Sequence, residues 1–361
     1  MAALELLAGV ARKPSGVDRT AQGTVTAPPS PTAEAAGENH PVAGDPPGVA
    51  LVYPGLGSQR ARIGLDLAEA YPAASYDWAS EVLGYDVPEL LATADLESRE
   101  NTYRAQVALF CVSVAATRVL IEAGLTPTYV AGHSLGESVA LVASGALAPD
   151  AGLTMVAHRA EVMREVIHAS GRTGSMVAVL GLPFDRLYQA LDDAAGEDVL
   201  VLANDNAPGN AVVAGQEVAL DRFVDLAGAA GAKRVLRMRV DCAFHSPLMA
   251  PVVEAMRPYL SAVPLRTATI PMVLNATTHP CRSVGQLRTG LVEQLISPVR
   301  WRESVLRLAS LGVDTFIEVG PGSVLAGLIR RIVPQARVMS AGTHPHLART
   351  LELLAARQPV R

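Results

Sequence analysis

The stretch Tyr129–Leu147, YVAGHSLGESVALVASGAL, places a serine between two glycines where an apolar strand-like run meets a helix-compatible one. Residues 132–136, GHSLG, form a GxSxG pattern, whose small flanking residues permit the strained strand-to-helix turn that exposes a serine hydroxyl. A helix beginning behind Ser134 would direct N–H groups and partial positive charge at a developing oxyanion. The same pattern also fits a serine that only caps a helix, so the motif needs support from elsewhere in the chain.

Composition limits the classes of function. Half of the 361 residues are apolar, enough to bury the core of one large domain or two small ones. The formal net charge of −5 comes with no basic stripe that would suit a phosphate backbone, so nucleic acid is not an expected partner. The three cysteines are far apart and form no CxxC pattern, so we expect neither a disulfide framework nor a metal site.

The first residues raise the question of export. MAALELLAGV is apolar, but Arg12 and Lys13 follow it in place of a small-residue cleavage site, so no secretion signal is predicted. Residues 14–48 are rich in Pro, Ala and Gly, which favours a disordered leader over 1–48 that is dispensable for catalysis. No other apolar run is expected to be long enough to span a bilayer. We therefore expect a cytoplasmic protein with no membrane partner.

Strand-like and helix-like segments alternate along the rest of the chain, which favours an α/β fold with a parallel sheet. Strands are predicted at Val49–Tyr53 and Thr128–Ala131, and helices over 102–123 and 149–169. Between residues 174 and 240 the order is βαββαβ, as in a ferredoxin-like unit. The predicted organisation is a large α/β-hydrolase-like domain (49–173 and 241–343), an inserted ferredoxin-like subdomain (174–240) and a C-terminal tail (344–361).

A serine hydroxyl is barely nucleophilic at neutral pH and needs a base. Among the eight histidines, His245 in DCAFHSPLM stands out because it follows the last subdomain strand, where the chain re-enters the large domain. His133 is next to the serine, but neighbours on an elbow point in different directions, so we expect a structural role for it. The other histidines lie in loops, tails or helices without a motif.

Arg159 is the second unusual residue. It shares a predicted helical stripe with Met155, Val162 and Val166, so a guanidinium projects from an otherwise apolar face. One interpretation is a bidentate clamp for a substrate carboxylate. The other is an arginine whose stem packs in the core while its head reaches solvent or a core carboxylate.

Seven features follow one another along the chain: YPGLGSQ (53–59), AGHSLGE (131–137), Arg159, NDNAPGN (204–210), DCAFHSPLM (241–249), LVEQLISPVRW (291–301) and EVGPGSVLAGLIRR (318–331). Together they resemble malonyl-CoA:acyl-carrier-protein transacylases and the acyltransferase domains of polyketide synthases. The resemblance runs in order from about Val49 to Ser340 and leaves out the leader and the last twenty residues.

The resemblance implies a role for each matched residue. Ser134 would be the acylated nucleophile, His245 its base, and Arg159 the clamp on the carboxylate of a malonyl-type group. The backbone carbonyl of Gln294 would orient the histidine, in place of the acid of a hydrolase triad.

Further matched positions surround the substrate. The backbone N–H groups of Leu56 and Leu135 would form the oxyanion hole, and Gln59 and Phe244 would contact the substrate. Asn206 matches a position that faces the acyl pocket, although its sequence context also fits a plain turn residue.

The chain departs from the family pattern at two positions. Leu56 stands where the family loop GQGSQ has its first glutamine, which keeps the N–H but loses an amide near the acyl group. Asn210 replaces a glutamine with a shorter amide. Phe244, by contrast, resembles the AFH motif of malonyl-selective polyketide acyltransferases and favours an unbranched acyl group, although one methyl group is worth only about 1–3 kcal/mol in a pocket.

The function implied is transfer of a malonyl-type group from coenzyme A, through a seryl ester, to the phosphopantetheine thiol of an acyl carrier protein in fatty acid or polyketide synthesis. No bound cofactor or metal is expected, and the enzyme is expected to be a monomer. Three alternatives stay open: an α/β-hydrolase, a family member that edits thioesters or moves an unusual acyl group between carriers, and a non-catalytic carrier-binding module.

Overall fold

The structure is a computed structural model that describes residues 48–98, 101–170, 174–240 and 242–356. The predicted leader lies outside these residues apart from Gly48, which begins the first strand. The described strands are β1 (Gly48–Tyr53), β2 (Tyr129–Gly132), β3 (Ser175–Leu180), β4 (Leu200–Ala207), β5 (Asn210–Gly215), β6 (Arg234–Arg237), β7 (Met272–Val273), β8 (Pro280–Cys281), β9 (Val313–Glu318) and β10 (Arg337–Ser340).

Helices occur between the strands along the chain. Among the described residues, Pro72–Ala74 and Pro247–Met249 are single turns of 3₁₀-helix. The α-helices of the described residues are α1 (Leu65–Ala70), α2 (Asp77–Leu83), α3 (Val87–Thr93), α4 (Thr102–Glu122), α5 (Gly136–Ala143), α6 (Pro149–Ser170), α7 (Phe184–Ala195), α8 (Glu217–Ala229), α9 (Ala250–Ala262), α10 (Val284–Glu293), α11 (Trp301–Ser310), α12 (Val324–Ile332) and α13 (His344–Ala355).

The larger sheet has the strand order β10-β9-β1-β2-β7-β8 and is parallel except for the β7–β8 pair. Successive residues of β1 point to opposite faces, and both faces are covered. Leu51 and Tyr53 pack into the core that includes α4, α5 and α6, whereas Ala50 and Val52 pack against α11 and α12. The α/β fold with a parallel sheet is therefore as predicted.

Helix α4 lies in the middle of the larger core. By length and composition it could cross a membrane, so the expectation that no further run is long enough is wrong for this segment. Its apolar window is 83% buried inside the protein, however, which is the environment of a central core helix.

The second sheet is antiparallel with the order β4-β5-β3-β6. Helices α7 and α8 cover one face, where Val177, Val213 and Phe223 are buried. The other face packs Met176 and Ala214 against Ala243, on the segment that returns to the larger sheet. The boundaries of a separate subdomain at 174–240 stay a prediction.

The predicted C-terminal tail differs from the structure, because residues 344–355 form α13. Leu347 is fully buried, and the Thr350 hydroxyl donates to the Ser340 carbonyl over 2.8 Å. The His344 N–H donates to Asp66 Oδ2 over 2.6 Å. The segment adds apolar surface to the core, which a tail prediction based on motif matches could not register.

Candidate active site

The nucleophile elbow lies between β2 and α5. Ser134 has a φ of 53°, a left-handed conformation that is unusual for a residue other than glycine. The strand ends at Gly132 and the helix begins at Gly136, so the serine occupies the turn between them. This is the conformation that presents a hydroxyl at the carboxyl edge of a parallel sheet.

The two glycines of the pattern are required by close backbone packing. A Cβ on Gly132 would lie 2.0 Å from the carbonyl carbon of Gly136, and a Cβ on Gly136 would lie 2.1 Å from the Tyr53 oxygen. In the loop after β1, a Cβ on Gly55 would lie 2.6 Å from the His133 oxygen. No side chain fits these gaps, so the glycines bring β1, its following loop and the elbow into direct contact.

A continuous chain of two hydrogen bonds joins Ser134, His245 and Gln294. Ser134 Oγ lies 2.7 Å from His245 Nε2, and His245 Nδ1 lies 2.8 Å from the backbone carbonyl oxygen of Gln294. A carbonyl can only accept, so Nδ1 carries the hydrogen and Nε2 is left to accept the serine proton. The structure therefore brings together the three residues that the sequence analysis assigned to the nucleophile, its base and the orienting carbonyl.

His245 is buried and has a φ of 59°, again in the left-handed region. Burial lowers the pKa of its imidazole to about 4, and the nearby Arg159 and His133 also lower it, against the opposing effect of the Gln294 carbonyl. The imidazole is therefore neutral near pH 7, which is the form that can accept a proton from Ser134.

Arg159 lies on α6 and only 7% of its surface is exposed. Its Nη1 donates to the Oε1 of Gln106 on α4. Burial lowers the pKa of the guanidinium to about 10, so it remains charged at neutral pH. Among the described residues no carboxylate lies within 4.0 Å of it, which leaves a buried cation without an ion-pair partner.

Leu56 lies in the loop after β1, and Leu135 follows Ser134 in the elbow, directly before α5. In the part of the chain that the structure describes, neither backbone N–H donates a hydrogen bond. Gln59 folds this loop, since its Oε1 accepts the Gly57 N–H over 2.7 Å. Both leucine N–H groups thus remain available to an anionic oxygen.

His133 and Asn206 connect the elbow to the antiparallel sheet. His133 Nε2 lies 2.8 Å from Asn206 Oδ1, and its ring meets the Trp301 ring edge-on at 5.6 Å. Asn206 Nδ2 in turn donates to Asn210 Oδ1 over 3.3 Å. Asn206 therefore binds a side chain of the elbow, and His133 lies between Asn206 and Trp301.

Phe244 is half-buried directly before His245 and contacts the cores of both sheets.

An ion pair joins strand β4 to α11. The carboxylate oxygens of Asp205 accept from Arg302 Nε and Nη2 over 2.9 and 2.6 Å. Burial raises the pKa of Asp205, whereas the bond to Asp205 raises the pKa of Arg302. The bidentate geometry favours the ionised pair.

The sequence analysis missed three buried polar residues at the site: Gln106, Glu137 and Asn275. Gln106 is a single polar residue in the apolar run AQVALFCV. That pattern was the available signal, because a buried amide or carboxylate needs a partner.

A metal centre has no basis in the described residues, where no group of three or more His, Cys, Asp or Glu side chains could hold an ion. The three cysteines all fall within the described ranges, where each is buried and none forms a disulfide.

The acyl transferase domain family matches residues 50–357. This chain belongs to that family. The match extends beyond Ser340 and includes α13, so the expectation that the last twenty residues lie outside the resemblance is wrong. As an acyltransferase, the protein is an enzyme with a fold and motif order that the family shares.

Named relatives agree with this assignment. The acyltransferase is 39% identical over 287 residues to a malonyl CoA-acyl carrier protein transacylase of Bacillus subtilis, covering 79% of this chain and 90% of the relative. It is 36% identical over 308 residues to the transacylase of that name from Escherichia coli K12, covering 84% and 99%.

Solved structures share the fold of this acyltransferase. An acyl carrier protein S-malonyltransferase from Vibrio cholerae superimposes with a TM-score of 0.79 at 36% identity, covering 84% of this chain and 99% of the other. A malonyl transacylase solved in complex with the acyl carrier protein of a type II polyketide synthase gives a TM-score of 0.81 at 35% identity, covering 85% and 99%.

Proposed function

We propose that this acyltransferase moves a malonyl group from malonyl-CoA to the phosphopantetheine thiol of an acyl carrier protein, through an ester on Ser134. The observation that carries the proposal is the buried Arg159, whose guanidinium lacks an ion-pair partner in the described residues beside a complete Ser134–His245 pair. The printed names of the relatives support the same donor and acceptor.

The first half of the reaction forms the ester. Ser134 Oγ attacks the thioester carbonyl carbon while His245 Nε2 takes the hydroxyl proton, and the Gln294 carbonyl holds the imidazole in the required tautomer. The developing oxyanion would accept from the N–H groups of Leu56 and Leu135. As the carbon–sulfur bond breaks, His245 returns the proton to the coenzyme A thiolate.

The second half reverses these steps with a different thiol. The phosphopantetheine thiol enters the same cleft, His245 removes its proton, and the thiolate attacks the ester carbonyl carbon. The bond from that carbon to Ser134 Oγ breaks, and the serine recovers its proton from His245. One malonyl group is transferred and no water is consumed.

Arg159 would select for the malonyl group by pairing with its free carboxylate. A buried guanidinium without an anion is costly, and a bidentate carboxylate removes that cost. Gln106 fixes the orientation of the guanidinium from α4. An acetyl group offers no carboxylate and leaves the cation unpaired.

The wall of the acyl pocket would include Phe244, Asn206 and Gln59. Phe244 lies beside His245, where a ring would crowd a branch on the second carbon of the acyl group. Leu56 supplies an apolar side chain where the family loop has its first glutamine, so the pocket has one amide fewer near the acyl group. Together these residues set a preference among malonyl-type groups, since one methyl is worth only about 1–3 kcal/mol.

The same proposal covers setting and partners. The enzyme would act in the cytoplasm as a monomer, with coenzyme A thioesters and a carrier protein as partners and without a bound cofactor. Fatty acid synthesis and polyketide synthesis both use this reaction, and either carrier protein could accept the group.

Intact-protein mass spectrometry tests the proposal. Incubation with malonyl-CoA should add one malonyl group to the wild-type protein and none to Ser134→Ala, and an acyl carrier protein should then remove it. Acetyl-CoA and methylmalonyl-CoA serve as comparison donors, because the first lacks the free carboxylate of the malonyl group and the second adds a methyl branch to it. Release of free malonate in place of malonyl-carrier would show a thioester hydrolase, and labelling of Ser134→Ala would exclude Ser134 as the nucleophile.

A further inference from the structure

We infer that Glu137 is a positioning residue that holds the nucleophile and its base in register. It lies in the first turn of α5 and is 1% exposed. Its carboxylate does not contact Ser134 or His245 directly, but it accepts hydrogen bonds from two residues that do. The inference rests on the proposed function, because it concerns the step in which Ser134 is acylated.

One carboxylate oxygen of Glu137 holds Gln294. Glu137 Oε2 accepts from Gln294 Nε2 over 2.6 Å, and the same amide nitrogen donates its second hydrogen to the Ser134 carbonyl over 2.8 Å. The backbone carbonyl of this glutamine is the acceptor for His245 Nδ1. The placement of the base therefore depends on a side chain that Glu137 fastens to the elbow.

The other oxygen holds Asn275. Glu137 Oε1 accepts the Asn275 N–H over 2.9 Å. The Asn275 side chain then accepts the Ser134 N–H over 2.8 Å and donates to the Gly132 carbonyl. These bonds hold the elbow at Gly132 and at the N–H of Ser134, on the N-terminal side of the strained residue.

A single carboxylate thus binds the side chain of Gln294 and the main chain of Asn275, the two residues whose side chains hold the elbow. Ser134 keeps a left-handed φ of 53°, a conformation that persists only where the surroundings determine it. The bonds from Asn275 to its N–H and from Gln294 to its carbonyl supply that constraint. Asn275, after β7, and Gln294, at the end of α10, lie 141 and 160 residues from Ser134 in sequence, and Glu137 binds both of them beside the elbow.

The carboxylate must be ionised to accept on both oxygens. The charged and titratable groups near it are Arg159 from α6 and Cys281 from β8. Burial raises the pKa of Glu137 to about 7, while the bonds from Asn275 and Gln294 and the charge of Arg159 lower it. Protonation or replacement by glutamine puts a donor opposite one of two donors and loses one of the two bonds.

Glu137→Gln tests this inference, since it keeps size and removes one acceptor. The rate of seryl ester formation in a single turnover with saturating malonyl-CoA should fall by about 10- to 100-fold, because a misplacement of about 1 Å can cost on the order of 10²-fold. The KM for malonyl-CoA should stay within about twofold of wild type, because Glu137 does not touch the substrate.

Glu318→Gln is the matched control. Glu318 is also a buried carboxylate that accepts two N–H groups, from Leu325 and Ala326, and burial raises its pKa to about 7 as well. Within the described part of the chain, its carboxylate has no hydrogen bond to Ser134, His245 or Gln294. The control should lower the melting temperature by an amount similar to that of Glu137→Gln while leaving the acylation rate unchanged.

Gln294→Leu, alone and combined with Glu137→Gln, separates positioning from general destabilisation. Gln294→Leu removes the side-chain amide but keeps the backbone carbonyl, and its effect on the acylation rate should be less than additive with that of Glu137→Gln, since both act through one bond. Additive effects, a wild-type rate in Glu137→Gln, or an equal loss of rate in Glu318→Gln would each overturn the inference.

A phosphonofluoridate that bonds covalently to an activated serine keeps this test independent of the acyl donor. If wild-type protein reacts with the phosphonofluoridate but not with malonyl-CoA, the proposed function fails while the role of Glu137 is still measurable. Slower phosphonylation of Glu137→Gln than of Glu318→Gln is the expected result, and equal rates would contradict the positioning role.

Discussion

Ser134 and His245 meet at 2.7 Å across the site, and both have a left-handed backbone, with φ values of 53° and 59°. Each conformation costs a residue with a side chain about 1–2 kcal/mol. The surrounding hydrogen bonds hold both residues there, so the reacting pair is assembled from two strained positions that face each other.

Replacing Ser134 with alanine or with glycine should separate chemistry from strain. Both variants lose the hydroxyl and its bond to His245, so neither should form an ester with malonyl-CoA. Glycine accepts a φ of 53° without strain, and we expect the free energy of unfolding of Ser134→Gly to exceed that of Ser134→Ala by about 1 kcal/mol. Chemical denaturation of the two variants measures this difference, and equal stabilities would show that the elbow stores no strain.

Arg159→Ala should change which thioester the enzyme accepts. We expect kcat/KM for malonyl-CoA to fall by on the order of 10²-fold or more, because its carboxylate would be buried without a partner. Activity with acetyl-CoA should be retained or rise, because the variant no longer leaves a desolvated guanidinium unpaired beside an uncharged group.

Melting curves are the control for Arg159→Ala. A purely structural arginine predicts that both thioesters lose activity together and that the melting temperature falls. That combined result would contradict the clamp.

We expect the pH dependence of the acylation rate near neutral pH to follow the protonation of Glu137. It should not follow the protonation of His245, whose pKa is lowered by burial. As pH falls through about 7, Glu137 gains a proton and loses an acceptor, so the wild-type rate should fall toward that of Glu137→Gln. The variant should stay level until His245 is protonated near its lowered pKa of about 4.

Single-turnover acylation between pH 4.5 and 8.5, in wild type and Glu137→Gln, measures this dependence. A fall with a midpoint near 6.5 in both proteins would mean that His245 titrates like an exposed histidine. In that case burial would not hold it neutral.

Asp205→Asn should loosen the attachment of the antiparallel sheet at the site. The variant loses a bidentate bond from Arg302, and we expect the free energy of unfolding to fall by about 1–3 kcal/mol. The KM for malonyl-CoA should rise more than kcat falls, because Asn206 is the next residue after Asp205 on β4 and its side chain binds His133.

Asp198→Asn is the matched control, since the Asp198–Arg222 pair is more exposed and lies away from the elbow. It should change the free energy of unfolding by less than about 1 kcal/mol and leave KM unchanged. A similar change in KM for the two variants would show that the Asp205–Arg302 pair does not position the site.

Local patterns in the sequence predicted most of the fold and half of the site. The elbow depends on residues 132–136, and β1, α4 and α6 follow from apolar periodicity within single segments. His245 and Arg159 stand out from their own sequence contexts, and the family resemblance adds Gln294 and implies that the three act with Ser134.

The remaining site contacts and the shortest elements could not be predicted from the sequence, because they depend on tertiary structure. Asn275 binds the elbow from 141 residues away, and Gln294 binds Glu137 across 157 residues. The short strands β8 and β10 and the helix α13 carry weak local signals and form because neighbouring elements offer unpaired edges and apolar surface. Such contacts follow from tertiary packing and not from any one segment.

Three of the groups assigned to the reaction belong to the main chain: the N–H of Leu56, the N–H of Leu135 and the carbonyl of Gln294. Substituting one amino acid for another leaves a peptide group where it was, proline excepted. An alanine scan would therefore report Ser134, His245 and Arg159 and overlook half of the machinery. For the same reason, an exchange of glutamine for leucine at position 56 would change the side chain beside the proposed acyl pocket and leave the proposed oxyanion donor, the N–H of residue 56, in place.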